Sequence, residues 1–431
     1  MWWSVSLWFT LSISTVAIAL LYAYLSSVKN HWKRLGVPYV RGELLFGNVR
    51  RMLFAQEAIP AFFHRISQQL GDVPYGGFHM MLTPCLMMKD VRLINRILVA
   101  DFAHFSNRFS PESVEVDPLG QHLFGMCAAL WREMRPRMSA AFSVSSCRRD
   151  FCLVRLCCDR LQLFVQEALQ GRSSREFDLK DLLASFTTDV IGMSAFGIEC
   201  GAIDDPHSQF RRISGMILPH SKKEIIGAML AFMLPRLGAV LRVKYFSSTV
   251  AEFFDRIVLE TMEYRKKNNI RREDLVHFMM ELKDQGFTSE ESTEKIEVTD
   301  NLVVAQLLLA FTLGFEMTSS AMSFCLHELS INPVLQTRAH KEVDAVLSRH
   351  GGEITYDAIQ EMTYMDLLVA GQKYAQVVVK AGLAALLSRF EFRPCPRSSG
   401  RPAEYEPHRI LGSPAGGLWV RIIPRPWLPM H

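Results

Sequence analysis

The sequence lacks the short motifs that mark several common enzyme classes. It has no Gly-x-Ser-x-Gly, the nucleophile turn of many hydrolases, and no His-Glu-x-x-His, the zinc-binding helix of many metalloproteases. None of its nine cysteines forms a Cys-x-x-Cys pair or a Cys/His zinc spacing. We therefore set aside an unrelated hydrolase or metalloenzyme and predict no metal ligand.

The chain also has little net charge and no internal repeat. Its formal charge is only +4 over 431 residues, which does not indicate a nucleic-acid partner. With 49% hydrophobic residues the composition is globular. No small secreted disulfide framework fits a chain of this length, so we expect reduced thiols in a domain that faces the cytosol.

Charged residues are absent altogether from residues 2–26. At about 1.5 Å per residue, a helix of this length spans the hydrocarbon core of a bilayer. A cleavable signal peptide would have a basic start, whereas here Lys29, Lys33 and Arg34 follow the apolar segment. We predict a retained single-pass anchor helix over residues 2–26 and a Pro/Gly-containing linker over residues 27–48.

Apolar periodicity beyond the linker predicts a mainly α structure with a small β-region. Helical patterns cover residues 55–70, 91–99, 130–142, 147–169, 179–196 and 247–267, and strand patterns cover residues 73–87 and 418–423. Residues 214–246 are unusually apolar and are interrupted by two prolines. They fit either a substrate-access lid at a membrane surface or ordinary core, and the residues do not decide between the two.

A further long helix, "LVVAQLLLAFTLGFEMTSSAMSFCL", carries a carboxylate in the middle of an apolar run. We predict that it begins at Thr299 or Asp300 as N-cap and ends before Asn332. Burying Glu316 there costs several kcal/mol unless the carboxylate is paired or neutralised.

Two interpretations of Glu316 follow from its neighbours, Gly314, Thr318, Ser319 and Ser320. Such a helix could line a flat cofactor and handle protons for it. Alternatively, the hydroxyls bond back to their own helix and Glu316 pairs with a distant arginine.

Several stretches, taken together, resemble the cytochrome P450 family, in particular its insect microsomal detoxification branch. "LGFEMTSS" resembles the central-helix signature of that family, and "LWREMRPRM" resembles its Trp-x-x-x-Arg helix. Further segments follow in the expected order: "DFAHFSNRF", "FTTDVIGMSAFGIEC", "FCLHELSINPVLQTRAHKEVDAVL", "AGLAALLSRFEFRP" and "SPAGGLWVRIIPR". The resemblance implies a cytochrome P450 fold over residues 49–431, incomplete, behind the N-terminal transmembrane helix.

The resemblance also implies a function and a site. Family members hold haem, take electrons from NADPH through a membrane-bound reductase, and insert one oxygen atom of O2 into lipophilic substrates such as xenobiotics, insecticides and hormones. On this basis Glu316, with Gly314 and Thr318, would relay protons above the haem at the endoplasmic reticulum membrane. Trp131 and Arg135 would bind a haem propionate; the alternative is a core tryptophan beside a surface arginine.

Two features depart from the family pattern near those residues. Met317 takes the position of the family's threonine, with Thr318 one step, about 100°, further round the helix. Pro136 lies within the Trp-x-x-x-Arg helix and is expected to end or kink it.

A larger departure concerns the axial ligand. The family's thiolate lies in a Phe-x-x-Gly-x-Arg-x-Cys-x-Gly loop, and no cysteine of this chain has that context; Cys395 lies after the helix that the loop should precede. The family's helical Glu-x-x-Arg is also missing, because its one match, Glu406 to Arg409, contains a helix-breaking proline. "EMTYMDLLVA" runs directly into "GQKYAQVVV", which predicts an internal deletion at 370/371 and an inactive chain. The competing hypothesis is a haem-free, membrane-anchored remnant that acts only by interaction, for instance by occupying the reductase.

Overall fold

The computed structural model describes residues 2–107, 116–205, 207–218, 221–288, 295–369, 373–398, 406 and 416–426. The helices are α1 (Trp2–Lys29), α2 (His31–Arg34), α3 (Arg50–Leu53), α4 (Ile59–Leu70), α5 (Val91–Asn95), α6 (Ala128–Ala141), α7 (Val144–Leu169), α8 (Leu179–Ile191), α9 (Gln209–Met216), α10 (Lys222–Met233), α11 (Pro235–Val240), α12 (Ser248–Lys267), α13 (Leu275–Gln285), α14 (Asp300–Thr312), α15 (Thr318–Ile331), α16 (Pro333–Arg349), α17 (Tyr356–Glu361), α18 (Thr363–Leu368) and α19 (Lys373–Arg389). The strands are β1 (Tyr75–Met80), β2 (Thr83–Met88), β3 (Arg175–Asp178), β4 (Phe287–Thr288), β5 (Lys295–Ile296), β6 (Phe390–Arg393) and β7 (Trp419–Pro424). Helices dominate and the sheets are small, so the predicted fold class is confirmed.

The chain divides into two compact units. The first unit comprises Met1–Asn107, Pro219–Val243 and Tyr405–Gly412, and the second comprises Arg108–Leu218, Lys244–Glu404 and Ser413–His431. The first unit therefore holds α1–α5, the β1–β2 hairpin, α10 and α11. The second unit holds the remaining elements, including every residue that the sequence assigns to the candidate site.

The first unit begins with the long apolar helix α1. Its stretch Leu11–Lys29 is long and apolar enough to cross a membrane, and only 6% of its most apolar window is buried within the protein. The residues that follow α1 contact the hairpin: Trp32 Nε1 donates to the carbonyl of Phe78 at 3.0 Å. Gly77 has no room for a side chain, since the Trp32 ring lies against its backbone.

The second unit is built around a core of packed helices. Buried residues of α7, α8, α15 and α19 form one apolar cluster, which also includes strand residues such as Phe392 and Val420. The three-stranded antiparallel sheet has the order β3-β7-β6, with Phe177 opposite Val420 and Phe392 opposite Ile422. The sheet thus contributes buried side chains to this helical core.

The central helix, Asp300–Ile331, runs through the second unit. The Thr299 side chain accepts a hydrogen bond from the Leu302 N–H at 3.3 Å, which confirms the predicted N-cap. The helix ends at Ile331, before Asn332 and Pro333, also as predicted. It consists of α14, a π-helical turn over Leu313–Met317, and α15.

Pro136 does not end the α6 helix, so that half of the expectation is wrong, whereas a kink at Pro136 stays a prediction. The helix continues past this proline as far as Ala141. Proline removes one backbone donor and its ring crowds the preceding turn. In the same turn, the Arg137 guanidinium donates to the Glu133 carbonyl.

Candidate cofactor site on the central helix

Glu316 is buried and paired. Its Oε1 lies 2.9 Å from Nζ of Lys180, and the two side chains are 10% and 19% exposed. Lys180 is held at the start of α8, where the Asp178 side chain accepts from its N–H at 3.0 Å and caps the helix. The partner of the carboxylate is therefore a lysine, not the distant arginine that the second interpretation of the sequence considered.

The hydroxyls beside Glu316 are part of the same network. Lys180 Nζ donates to Ser319 Oγ at 2.9 Å, to Ser320 Oγ at 2.7 Å and to the Glu316 carbonyl at 3.2 Å. Ser319 Oγ also donates back to the Glu316 carbonyl at 3.1 Å. One interpretation expected the hydroxyls to bond to their own helix; Ser319 does so and also accepts from Lys180.

The π-helical turn widens the central helix where the acid lies. Such turns occur often at functional sites. The carbonyl of Phe315, inside the turn, accepts from Thr187 Oγ1 of α8 at 2.9 Å. The neighbouring helix α8 thus supplies a hydrogen-bond donor to the irregular backbone.

Gly314 is required by close packing. A Cβ at this position would lie 2.6 Å from Cδ1 and Cγ1 of Ile191 in α8. Gly314 and Glu316 therefore both contact α8, and the absence of a side chain at the first lets the two helices approach closely.

Thr318 and its neighbour Met317 lie on different sides of the helix. Thr318 is only 4% exposed, whereas Met317 is 49% and Leu313 is 36% exposed. With the half-buried Ala321 and Phe324, these two exposed side chains recur every three or four residues and so share one side of the helix. We call the row Leu313, Met317, Ala321 and Phe324 the open face.

A shallow groove adjoins the C-terminal part of the open face. It has a volume of about 550 Å³, and Ala321, Phe324, Leu335, Leu368 and Val369 are among the residues that line it. Most of these side chains are apolar, so the groove is a place where apolar surface meets solvent.

Trp131 and Arg135 lie on α6. Trp131 is half-buried and packs against a core cluster of the second unit. Arg135 is exposed, and its Nη1 donates to Ser139 Oγ at 2.9 Å within the same helix. The structure brings Gly314 and Glu316 together with α8, but among the described residues no hydrogen bond or ion pair joins Arg135 to the central helix.

Binding of a haem iron through a thiolate would require a cysteine of this chain that ionises readily. Burial raises the pKa of Cys157 and of Cys325 to about 12, and it also raises the pKa of Cys85, Cys158 and Cys200. For Cys157 the effect of burial outweighs the opposing charge of Arg160. Burial favours the neutral thiol, which is a poor metal ligand. Arg135 is exposed and could donate to an acidic group, but these thiols do not fit an axial thiolate.

The predicted join at 370/371 lies outside the described residues. On its two sides, α18 and α19 are tied together by Asp366. Its Oδ1 accepts from Gln376 Nε2 at 2.7 Å and from Lys380 Nζ at 2.8 Å. The Lys380 side chain is only 2% exposed.

The second unit is mainly helical and is crossed by one long helix with an acid in a widened turn. The family model for cytochrome P450 matches residues 38–370, and the chain therefore belongs to the cytochrome P450 family.

Two relatives, both insect proteins, support the same family assignment. Over 368 residues the chain is 31% identical to cytochrome P450 6a2 of Drosophila melanogaster, covering 84% of this chain and 72% of the relative. It is 32% identical over 389 residues to cytochrome P450 9e2 of Blattella germanica, covering 85% and 72%. The resemblance to the insect branch is confirmed.

Sequence reasoning missed the three α8 residues that complete the site: Lys180, Thr187 and Ile191. Their contacts join positions more than 100 residues apart, and no local pattern encodes such a pairing. The usable signal was chemical, since a buried Glu316 requires a cation from another element.

Proposed function

We propose that this chain derives from a membrane-anchored haem-thiolate monooxygenase and that it does not itself insert oxygen, because the segment with the axial cysteine is absent. The family's reaction would transfer one oxygen atom of O2 to a lipophilic substrate, with electrons from NADPH through a reductase. The haem would supply the oxygen-activating chemistry. The observation that carries the proposal is that no cysteine of this chain lies in the sequence context of the family's ligand loop.

The position of the join supports this proposal. The family model stops matching at residue 370, the residue that directly precedes the predicted junction. The helix that normally follows the ligand loop resembles "GQKYAQVVVKAGLAALLSRF" and begins immediately afterwards. A deletion between these two halves would remove both the Glu-x-x-Arg helix and the ligand loop.

The open face gives an energetic reason to expect that the chain is poorly stable and, for that reason, poorly active. If a missing segment leaves a few hundred Å² of apolar surface uncovered, then at about 25 cal/mol per Å² the loss is several kcal/mol. That is comparable with a domain's whole stability of about 5–15 kcal/mol. Met317 and Leu313 are the side chains that such a segment and its cofactor would cover.

In a complete chain, we expect the site residues to keep the roles implied by the family. Arg135 would leave Ser139 and, with Trp131, donate hydrogen bonds to a haem propionate. Glu316, Gly314 and Thr318 would serve proton delivery. Thr318 is buried and Met317 occupies the exposed position, so the Thr318 hydroxyl would act from the buried side of the helix and not from the open face.

Localisation and division of the chain are part of the same proposal. Residues 2–26 would anchor the chain in the endoplasmic reticulum membrane. Residues 27–48 would link this anchor to the cytosolic domain, which residues 49–431 would form. The exposed apolar face of α1 and the basic residues after it support this orientation. Protease added to intact microsomes should digest the body of the chain and leave α1 protected.

The lack of an axial thiolate also favours a second candidate function. A haem-free chain that keeps its anchor could occupy the reductase and compete with active family members. Adding it to microsomes should then lower the turnover of a co-expressed monooxygenase without changing that enzyme's haem content.

A chimera tests the main proposal. The segment of Drosophila cytochrome P450 6a2 that is missing at 370/371 is inserted between Ala370 and Gly371. With reductase, NADPH and a lipophilic alkoxycoumarin, we expect product from the chimera and none from the unmodified chain. Product from the unmodified chain at the chimera's rate would contradict the proposal.

A further inference from the structure

Lys180 has no role in the family signatures that identify the site. It nevertheless makes several polar contacts around the π-helical turn that carries Glu316, which we call the acid turn. Its ammonium carries three protons. Four acceptors of the central helix surround it within 3.2 Å: the Glu316 carboxylate, the Glu316 carbonyl and the hydroxyls of Ser319 and Ser320. Three of these acceptors would hold Nζ in place even if the carboxylate turned away.

We propose that Lys180 is a positioning residue that holds the Glu316 carboxylate against α8 and so keeps it away from the open face. The pair forms between two side chains of this chain and does not require bound haem. A complete family member with the same pair would have to break it before the acid could act on the open side.

The geometry gives the carboxylate two possible environments. In the structure it lies in a narrow space between the central helix and α8, where it is 10% exposed and Lys180 is its ion-pair partner. The adjacent residue, Met317, is 49% exposed on the open face. If the ammonium is removed, the carboxylate becomes a buried charge without its ion-pair partner, which is strongly unfavourable. The open face, where Met317 is exposed, is a solvent-accessible side of the same helix.

The charges on α8 support the assignment to Lys180. Asp181, the next residue, is directed away from the central helix, since its side chain is 68% exposed and pairs with Arg211. Thr187 and Ile191, the other α8 residues that contact the acid turn, carry no charge. Lys180 is therefore the cation that α8 supplies to this turn.

Carbodiimide labelling of carboxylates, read out by peptide mass spectrometry, tests the proposal on the full chain in detergent micelles. We expect Glu316 to stay unlabelled in the unsubstituted chain while Glu281, 59% exposed, reacts. In Lys180→Met, Glu316 should become labelled, by at least about tenfold over the background of the unsubstituted chain, because its carboxylate then turns to the open face. Lys180→Arg keeps the charge and should keep Glu316 protected.

Two controls separate positioning from loss of structure. Lys283→Met removes another ammonium, which pairs with Asp300 at the start of the same helix, and should leave Glu316 protected. Buried Asp189 and Asp274, which lie away from Lys180, report general unfolding and should stay unlabelled in every variant.

Three results would overturn the proposal. Glu316 that remains protected in Lys180→Met shows that the ammonium does not position it. Glu316 that reacts in the unsubstituted chain shows that the pair does not hold. If Lys180→Met exposes Asp189 and Asp274 as well, the milder Lys180→Gln decides, and labelling of all three carboxylates there also rejects a positioning role.

Discussion

Asp366 offers a quantitative test of how the two sides of the predicted join are held. Lys380, in α19, is buried with 2% of its side chain exposed, whereas Asp366, in α18, is 40% exposed. The two partners of this ion pair should therefore respond differently to mutation. Asp366→Ala leaves a buried ammonium without its partner, whereas Lys380→Met leaves a carboxylate that water can reach.

The magnitudes follow from that asymmetry. Removing one partner of a fully buried pair costs about 3–5 kcal/mol, and because Asp366 is partly exposed we expect about 2–3 kcal/mol for Asp366→Ala. Lys380→Met should cost about 1 kcal/mol or less, since an apolar side chain of similar length suits the buried site. The double variant should resemble Lys380→Met, because the unpaired ammonium is then gone.

Guanidinium unfolding of the full chain in detergent, followed by circular dichroism, measures these free energies. All variants should share one m-value, so that midpoints can be compared. If Lys380→Met destabilises the chain as much as Asp366→Ala, then the ammonium is not buried as described and the reasoning is wrong.

Three further predictions test the site and its surroundings. Gly314→Ala should destabilise by about 1–3 kcal/mol in denaturant melts, because its Cβ meets Ile191, and Ile191→Val in the same chain should recover part of that loss; an unchanged midpoint would contradict the close packing. Asp274→Ala should cost about 3–5 kcal/mol in the same melts, since Arg265, bonded to it twice at 2.7 Å, would be left buried and unpaired; a loss below about 1 kcal/mol would refute this. Burial lowers the pKa of His122, so below about pH 6.5 the unfolded chain binds a proton that the folded chain does not, and stability should fall as the pH drops; pH-dependent melts should show a shallower fall for His122→Asn, and an equal slope would contradict the burial.

Local signals predicted much of the fold. The side chain of Thr299 and the Asn332-Pro333 pair mark the ends of the central helix because capping and proline geometry act over one turn. The uncharged run of α1 likewise predicted a helix, and the alternating pattern of β7 predicted a strand. Strands β3 and β6 were not predicted, because four-residue edge segments carry too little periodicity to be recognised alone.

The candidate site was only partly predictable. Glu316 and Gly314 stood out because an acid and a glycine are unusual within an apolar helix. Nothing local indicated that Lys180 would pair with the acid, since the two residues are joined only by the packing of α8 on the central helix. The exposure of Met317 could not be predicted either. A helix that is apolar on all sides is expected to be buried on all sides, and its sequence does not indicate which side lacks a packing partner.

The reduced carbon-monoxide spectrum of the full-length chain, expressed with haem supplied, tests the central claim most directly. A sulfur-ligated haem gives a Soret band at a position characteristic of the thiolate. We predict that this chain shows no such band, while the chimera with the restored segment does. A normal thiolate band from the unmodified chain would show that one of its own cysteines binds the iron, and would contradict the claim that the axial ligand is missing.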